Sequence, residues 1–236
     1  MITSNVGADG LKDCFRDPIP EIFEAASLIE KALSLHLRGD QNGAREYLCA
    51  ADMPVIGEWL DSIWMGPNVG HKAIRKVDGL PPILPKAERY KPRNPNIAMK
   101  KALVGRDGFL CRLCGVPLIR SEVRKAICLT YPNEARWTGP REDQQHRGLQ
   151  VMWLQYDHVV VHSRGGETSM ENLVVTCPAC NFGRDRFMMS EVGLRDPRFA
   201  PRTPSWEGWL DWSGVEGFLP EKDRWPPPAP PMGQAV

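Results

Sequence analysis

Two short turns, Cys111-Arg-Leu-Cys114 and Cys177-Pro-Ala-Cys180, carry the residues of this chain whose type and spacing speak most directly of chemistry. Two thiolates separated by two residues can face one ion without strain, and a second such turn completes the tetrahedral shell that zinc prefers. One turn alone could be a redox motif; two favour a metal. Four thiolates leave no position for water, so the expected Zn²⁺ is structural. Gly115, directly after the first pair, suits a tight knuckle. The other cysteines, Cys14, Cys49 and Cys128, are isolated, and an odd total of seven fits a metal site in a reducing compartment better than a secreted disulfide scaffold.

Between the turns runs a polar constellation: Asp157-His158, His162, Arg164-Gly165-Gly166 and Asn172-Leu173. The elements that must position it read as follows. Leu149 to Tyr156 is rich in β-branched and aromatic residues and predicts a strand. A turn near Arg164 to Glu167 precedes a short strand at Leu173 to Thr176, and Asn181 to Met189 can form a helix. The outcome is a β-β-α unit that brings the Asp157/His158 strand end towards the start of the helix at Asn181. Lys125 to Tyr131 predicts a further strand paired with Leu149 to Tyr156. Pro132 to Gly148 is then left as a polar surface loop containing Arg136, Trp137, Arg141, His146 and Arg147, able to supply sequence or structure preference.

The pattern from Arg106-Asp-Gly-Phe-Leu-Cys111 through Cys177-Pro-Ala-Cys180-Asn181 resembles the HNH endonuclease family, in particular its zinc-bound, four-cysteine branch with the ββα-metal fold. The Asp-His pair, the Gly-Gly turn, the Asn-Leu step and the closing Cys-x-x-Cys-Asn stand in the family's order, over about 80 of the 236 residues. The resemblance implies that Asp157 and Asn181 offer oxygens to a catalytic Mg²⁺ or Mn²⁺, hard ions suited to such ligands. It implies that His158 is the general base on water and that Asn172 ties the loop and fixes the histidine. Asn181 stands where many members have their last histidine, a departure that bears on metal choice. The implied reaction is hydrolysis of DNA phosphodiester bonds leaving 5′-phosphate and 3′-hydroxyl ends. The alternative is a catalytically inactive, zinc-stapled nucleic-acid-binding or interaction module. Lys100, Lys101, Arg106, Arg164, Arg184 and Arg186 are the candidate phosphate contacts, Arg being suited to that geometry; His162 is a weaker candidate for phosphate or metal.

The remainder of the chain sets the frame. With 42% hydrophobic and 25% charged residues, the composition is that of a globular protein and excludes wholesale disorder. Net charge is +1, yet residues 91–125 hold nine Lys or Arg against two acidic residues, a basic stretch of the kind that phosphate backbones attract. The absence of a long apolar run predicts a soluble, intracellular, cytoplasmic chain without a membrane partner. The expected class is α+β. A helical region spans 1–65, with helices from Pro20 towards Gly39, from Asn42 or Gly43 to Ala50 and from Pro54 to Met65, after a loose lead-in over the first seventeen residues. A Pro/Gly-rich connector covers 66–95 and wraps or bridges the two parts. The nuclease domain covers 96–190, opening with a short helix from Asn96 to Val104. Residues 191–220 form a docking segment in which Trp206, Trp209 and Trp212 either pack on the body or offer a stacking platform. A Pro-rich tail at 221–236 is expected to be disordered, so that removing residues after Arg224 should hardly alter melting. The N-terminal helices or this tail could bind a protein partner; the sequence sets no oligomeric state.

Overall fold

The computed structural model describes residues 10–64, 74–140, 144–199 and 216–225. Three helices come first: α1 (Pro20–Leu37), α2 (Gln41–Ala50) and α3 (Pro54–Trp64). Proline opens α1 and Glu21 stands in its first turn, where it complements the helix dipole. Asp40 caps α2, its carboxylate accepting from the Gly43 amide at 2.9 Å. Ile22, Ala26, Ile29 and Leu33 of α1 pack with Leu48 of α2 and with Ile56, Trp59, Leu60 and Ile63 of α3. Residues 10–19, before α1, are docked, not loose, and the first nine residues of the expected lead-in lie outside the described residues. Phe15 and Cys14 are buried, Trp59 Nε1 donates to the Asp17 carbonyl at 2.9 Å, and Lys12 bridges to Leu194.

From Ile74 to Pro95 the chain runs without a regular helix or strand apart from one short 3₁₀ turn, and it lies against the later part of the molecule. Leu84 N donates to the Ser163 carbonyl and Arg75 N to the Glu191 carbonyl, each at 2.7 Å. Helix α4 (Ile97–Asp107) follows, capped by Asn96 through the Met99 amide at 2.9 Å.

Two expectations fail in the next stretch. Lys125 to Tyr131 is no strand: it lies largely within α5 (Ser121–Thr130). Val123, Ile127 and Tyr131 recur every four residues, so a helix buries all three on one face while Leu129 points outward. Leu149 to Val151 are likewise helical, in α6 (Arg147–Val151), so that only Gln155–His158 forms strand β1. His146 causes that break: Nδ1 accepts the Leu149 amide as a helix cap, while Nε2 donates to the Leu48 carbonyl on α2 at 2.8 Å. Far from being a surface loop, residues 132–140 and 144–146 are held in place, while Arg141 lies outside the described residues. Ala135 and His146 are fully buried, and Arg124 of α5 stacks on the Trp137 and Trp153 rings.

Strand β1 pairs antiparallel with β2 (Leu173–Thr176), setting Asp157 opposite Val174 and His158 opposite Leu173. Helix α7 (Pro178–Arg184) closes the unit; it begins at Pro178 in the first turn rather than at Asn181. The fold is thus α+β, an N-terminal helical region followed by a ββα-like module. One apolar cluster runs through both parts. Helix α3 lies against α6 and α7, and Gly183 lets it come close: a Cβ there would stand 2.7 Å from Ile63 Cγ2.

Residues 216–225 fasten the C-terminal side. The Glu216 carboxylate is buried against Arg120, accepting from Nε at 2.7 Å, and the Trp225 ring lies 4.0 Å from the same guanidinium. The part of the expected tail up to Trp225 is therefore packed: the Asp223 carbonyl and the Trp225 ring both lie against buried Arg120. Trp206, Trp209, Trp212 and the proline run after Trp225 lie outside the described residues.

Candidate metal centre and polar site

The first Cys-x-x-Cys turn is built by backbone bonds: the Cys111 amide donates to the Val116 carbonyl and the Gly115 amide to the Cys111 carbonyl, both at 2.9 Å. Arg112 N then donates to the Val175 carbonyl at 3.0 Å, joining this turn to β2. The second turn begins α7, with Cys177 as its N-cap. All four sulfurs lie within 4.8 Å of one another, and Cys114 Sγ stands 3.6 Å from Cys177 Sγ. A tetrahedral zinc with bonds of about 2.3 Å separates its ligands by roughly 3.8 Å, so four converging thiols at these distances fit such an ion. Burial opposes charge on Cys111, and hydrogen bonds from Cys114, Cys177 and Cys180 nevertheless hold it well below the ordinary thiol range, while Cys114 and Cys180 are pushed well above it.

Asp107, absent from the sequence-based site, organises the approach to this centre. Its buried carboxylate accepts from Arg106 through Nε and Nη2, each at 2.8 Å, and from the Val175 amide at 3.1 Å. Nothing in the spacing of the Arg106-Asp-Gly run distinguishes that carboxylate from a surface one.

The polar site lies at the end of β1, where alternation sends adjacent side chains to opposite faces. Asp157 faces α7. Arg184, only 1% exposed, donates through Nε to Asp157 Oδ2 at 3.1 Å, through Nη2 to Oδ1, and again to the carbonyls of His158 and Phe187. Burial pushes the Asp157 carboxyl above its usual range, and the guanidinium opposes that push. The expectation that Arg184 meets phosphate is therefore corrected: a buried carboxylate needs a buried counter-charge, and Arg184 is it.

His158 faces the other way. Its Nε2 lies 3.0 Å from Thr168 Oγ1, and the His162 ring is 5.3 Å away, centroid to centroid. Burial first, then the charges of His162, Arg93 and Arg184, lower its pKa to about 4, which leaves the ring neutral at pH 7. Asn172 clamps the intervening loop. Its Oδ1 accepts the Val160 amide at 2.8 Å and its Nδ2 donates to the carbonyls of Val160 and Glu167 at 3.0 and 2.9 Å. The loop passes so near itself at Gly166 that a Cβ there would sit 1.7 Å from the Val160 carbonyl oxygen, a position closed to any side chain. Asn181, half-buried, stands next to Cys180 in α7.

The other sequence candidates divide. Lys101 and Arg186 are exposed, and Lys100 lies half-buried with Nζ 5.7 Å from the Tyr156 ring. Arg106 reaches the surface but is tied to Asp107 and to the Leu173 carbonyl. Arg164 is committed to Glu191 at 3.0 Å and to the Pro81 carbonyl at 2.8 Å, and His162 Nε2 donates to the Tyr90 carbonyl at 2.8 Å. Sequence reasoning missed Thr168 and Arg93, the residues beside His158. Neither stands at a recognisable spacing from it.

Four converging thiols that could hold a metal ion thus lie beside an antiparallel ββα-like unit, with Asp157 and His158 at the end of β1 and Asn172 directly before β2. In agreement, the family model of the HNH endonuclease matches residues 143–184, which contain α6, β1, β2 and α7. No curated protein and no solved structure matches the chain. No helix among the described residues is long and apolar enough to cross a membrane.

Proposed function

We propose that this protein is a zinc-stapled, metal-dependent HNH-type endonuclease acting on DNA. The observation that carries the reading is His158, neutral and buried at the end of β1, with Thr168 against Nε2 and the other ring nitrogen left to take a proton. A neutral imidazole held in place is the group that general-base catalysis on water requires. Asn172 holds the 160–167 loop around it.

The oxygens of Asp157 and Asn181 are a donor set suited to Mg²⁺ or Mn²⁺. An ionised carboxylate has about four acceptor positions, so Asp157 can serve Arg184 and an ion together. Such an ion, when bound, supplies charge neutralisation at the scissile phosphate. His158 accepts a proton from the attacking water as its oxygen bonds to phosphorus, the bond from phosphorus to the 3′ oxygen breaks, and that oxygen takes a proton from solvent, so that the ends are 5′-phosphate and 3′-hydroxyl. Lys101 and Arg186, exposed near the module, are the phosphate contacts of this reading.

A second reading is favoured by the Asp157–Arg184 pair. If the guanidinium occupies the carboxylate permanently, the module binds nucleic acid without cutting it. The two are separated with supercoiled plasmid, zinc-loaded protein, and Mg²⁺, Mn²⁺ or EDTA. Nicking or linearisation that needs the added ion and is lost in His158→Ala is the expected result. A plasmid that shifts on a gel but stays uncut with both proteins establishes the binding module instead.

A further inference from the structure

Thr168 and the connector backbone stand at hydrogen-bonding distance behind the polar site, and their chemistry fixes a detail that the donor–acceptor distances alone leave open. Thr168 Oγ1 is 3.0 Å from His158 Nε2 and 3.0 Å from the Arg93 carbonyl oxygen. A hydroxyl has one hydrogen and a carbonyl has none. The Thr168 hydrogen must therefore go to Arg93, and the hydroxyl oxygen must accept from His158. In a neutral ring only one nitrogen bears hydrogen, so that nitrogen is Nε2 and the lone pair stands at Nδ1.

We propose that the connector sets the tautomer of His158, with Thr168 as the positioning residue that relays the Arg93 carbonyl to the ring. Both Thr168 and His158 are buried, so water does not compete freely for these bonds. The same strip of connector serves the neighbouring ring, since His162 Nε2 donates to the Tyr90 carbonyl three residues earlier. Arg93 and Tyr90 both lie outside the region that matches the HNH endonuclease. A segment that reads as a linker thus completes the module from behind, by presenting backbone acceptors that no side-chain pattern encodes. Its consequence for catalysis rests on the endonuclease reading; the tautomer itself does not.

The test is the imidazole ¹H–¹⁵N spectrum of the full chain, zinc-loaded, at pH 7.5, with His158 assigned by the signal that disappears in His158→Gln. The wild type is expected to show a protected Nε2–H and a bare Nδ1 for His158. Thr168→Ser keeps the hydroxyl and should retain the Nε2–H signal; Thr168→Val should lose it, with zinc content and the His146 signal unchanged. An Nδ1–H tautomer in the wild type, or an Nε2–H signal of unchanged shift in Thr168→Val, overturns the proposal. The wild-type spectrum decides even where the valine variant does not fold. If the wild type cleaves plasmid, Thr168→Val should lower kcat roughly 10- to 100-fold at unchanged KM, with serine restoring it. A wild type that shows the expected tautomer yet cuts nothing leaves this assignment standing and removes the endonuclease reading alone.

Discussion

Asp157 and Arg184 are 27 residues apart and share one buried ion pair. Separately, each reads as something else: Asp157 as a ligand, Arg184 as a surface cation. Taking one partner away strands the other, and an unpaired buried charge costs about 3–5 kcal/mol. Arg184→Met should accordingly lower stability by that order in urea unfolding, with zinc content retained; an unchanged midpoint would show that Asp157 is not held by Arg184. The thiols are more autonomous. Cys111→Ser should release the ion and lower the melting temperature, because structural zinc binding is coupled to folding. Equal zinc content in mutant and wild type, by metal analysis, would contradict the four-thiol centre.

Helix α6 shows how one residue can divide an apparent strand. His146 is fully buried, and burial lowers its pKa. Its neutral ring accepts at Nδ1 from the Leu149 amide and donates at Nε2 to the Leu48 carbonyl. Protonation would put a hydrogen where the cap needs a lone pair. The folded value lies below the unfolded value of about 6.5, so the unfolded chain takes up more protons below that pH. Stability from this residue is therefore complete above about pH 6.5 and is lost as pH falls towards the folded value. The melting temperature should drop on acidification from pH 7 to pH 5, and less so in His146→Asn, which can still cap α6. An identical acid response in the variant would assign the sensitivity elsewhere. The same local reading explains α5: Val123, Ile127 and Tyr131 have helical spacing, which outweighs the strand preference of individual residues.

At the scale of the molecule, the helical region and the ββα-like module share one core, and the C-terminal segment locks onto the module. Glu216 and Trp225 cover Arg120, while Phe218 packs 4.4 Å from the His36 ring, which itself bonds the Tyr131 hydroxyl at 2.6 Å. This one segment touches both α1 and the end of α5. Glu216→Ala removes the buried carboxylate and leaves Arg120 with the more distant Glu122 carboxylate at 3.5 Å, so the expected cost is at most about 3–5 kcal/mol. Differential scanning calorimetry should show a single transition at lower temperature; a transition unmoved by the mutation would mean that 216–225 does not hold the molecule together.

The convergence of the two Cys-x-x-Cys turns, the short strand at Leu173–Thr176 and the three N-terminal helices were legible from residue order, since each depends on neighbours a few positions away or on a spacing of the kind a metal site requires. Helix caps such as Asn96 and the proline starts belong to the same local physics. What residue order did not disclose is which polar groups pair across the chain: Arg184 with Asp157, Glu216 with Arg120, Thr168 between His158 and the Arg93 carbonyl. Those choices follow from burial. A charge or hydroxyl removed from water must find a partner among whatever groups packing brings within hydrogen-bonding distance, and for a backbone carbonyl no side-chain identity records that position in advance.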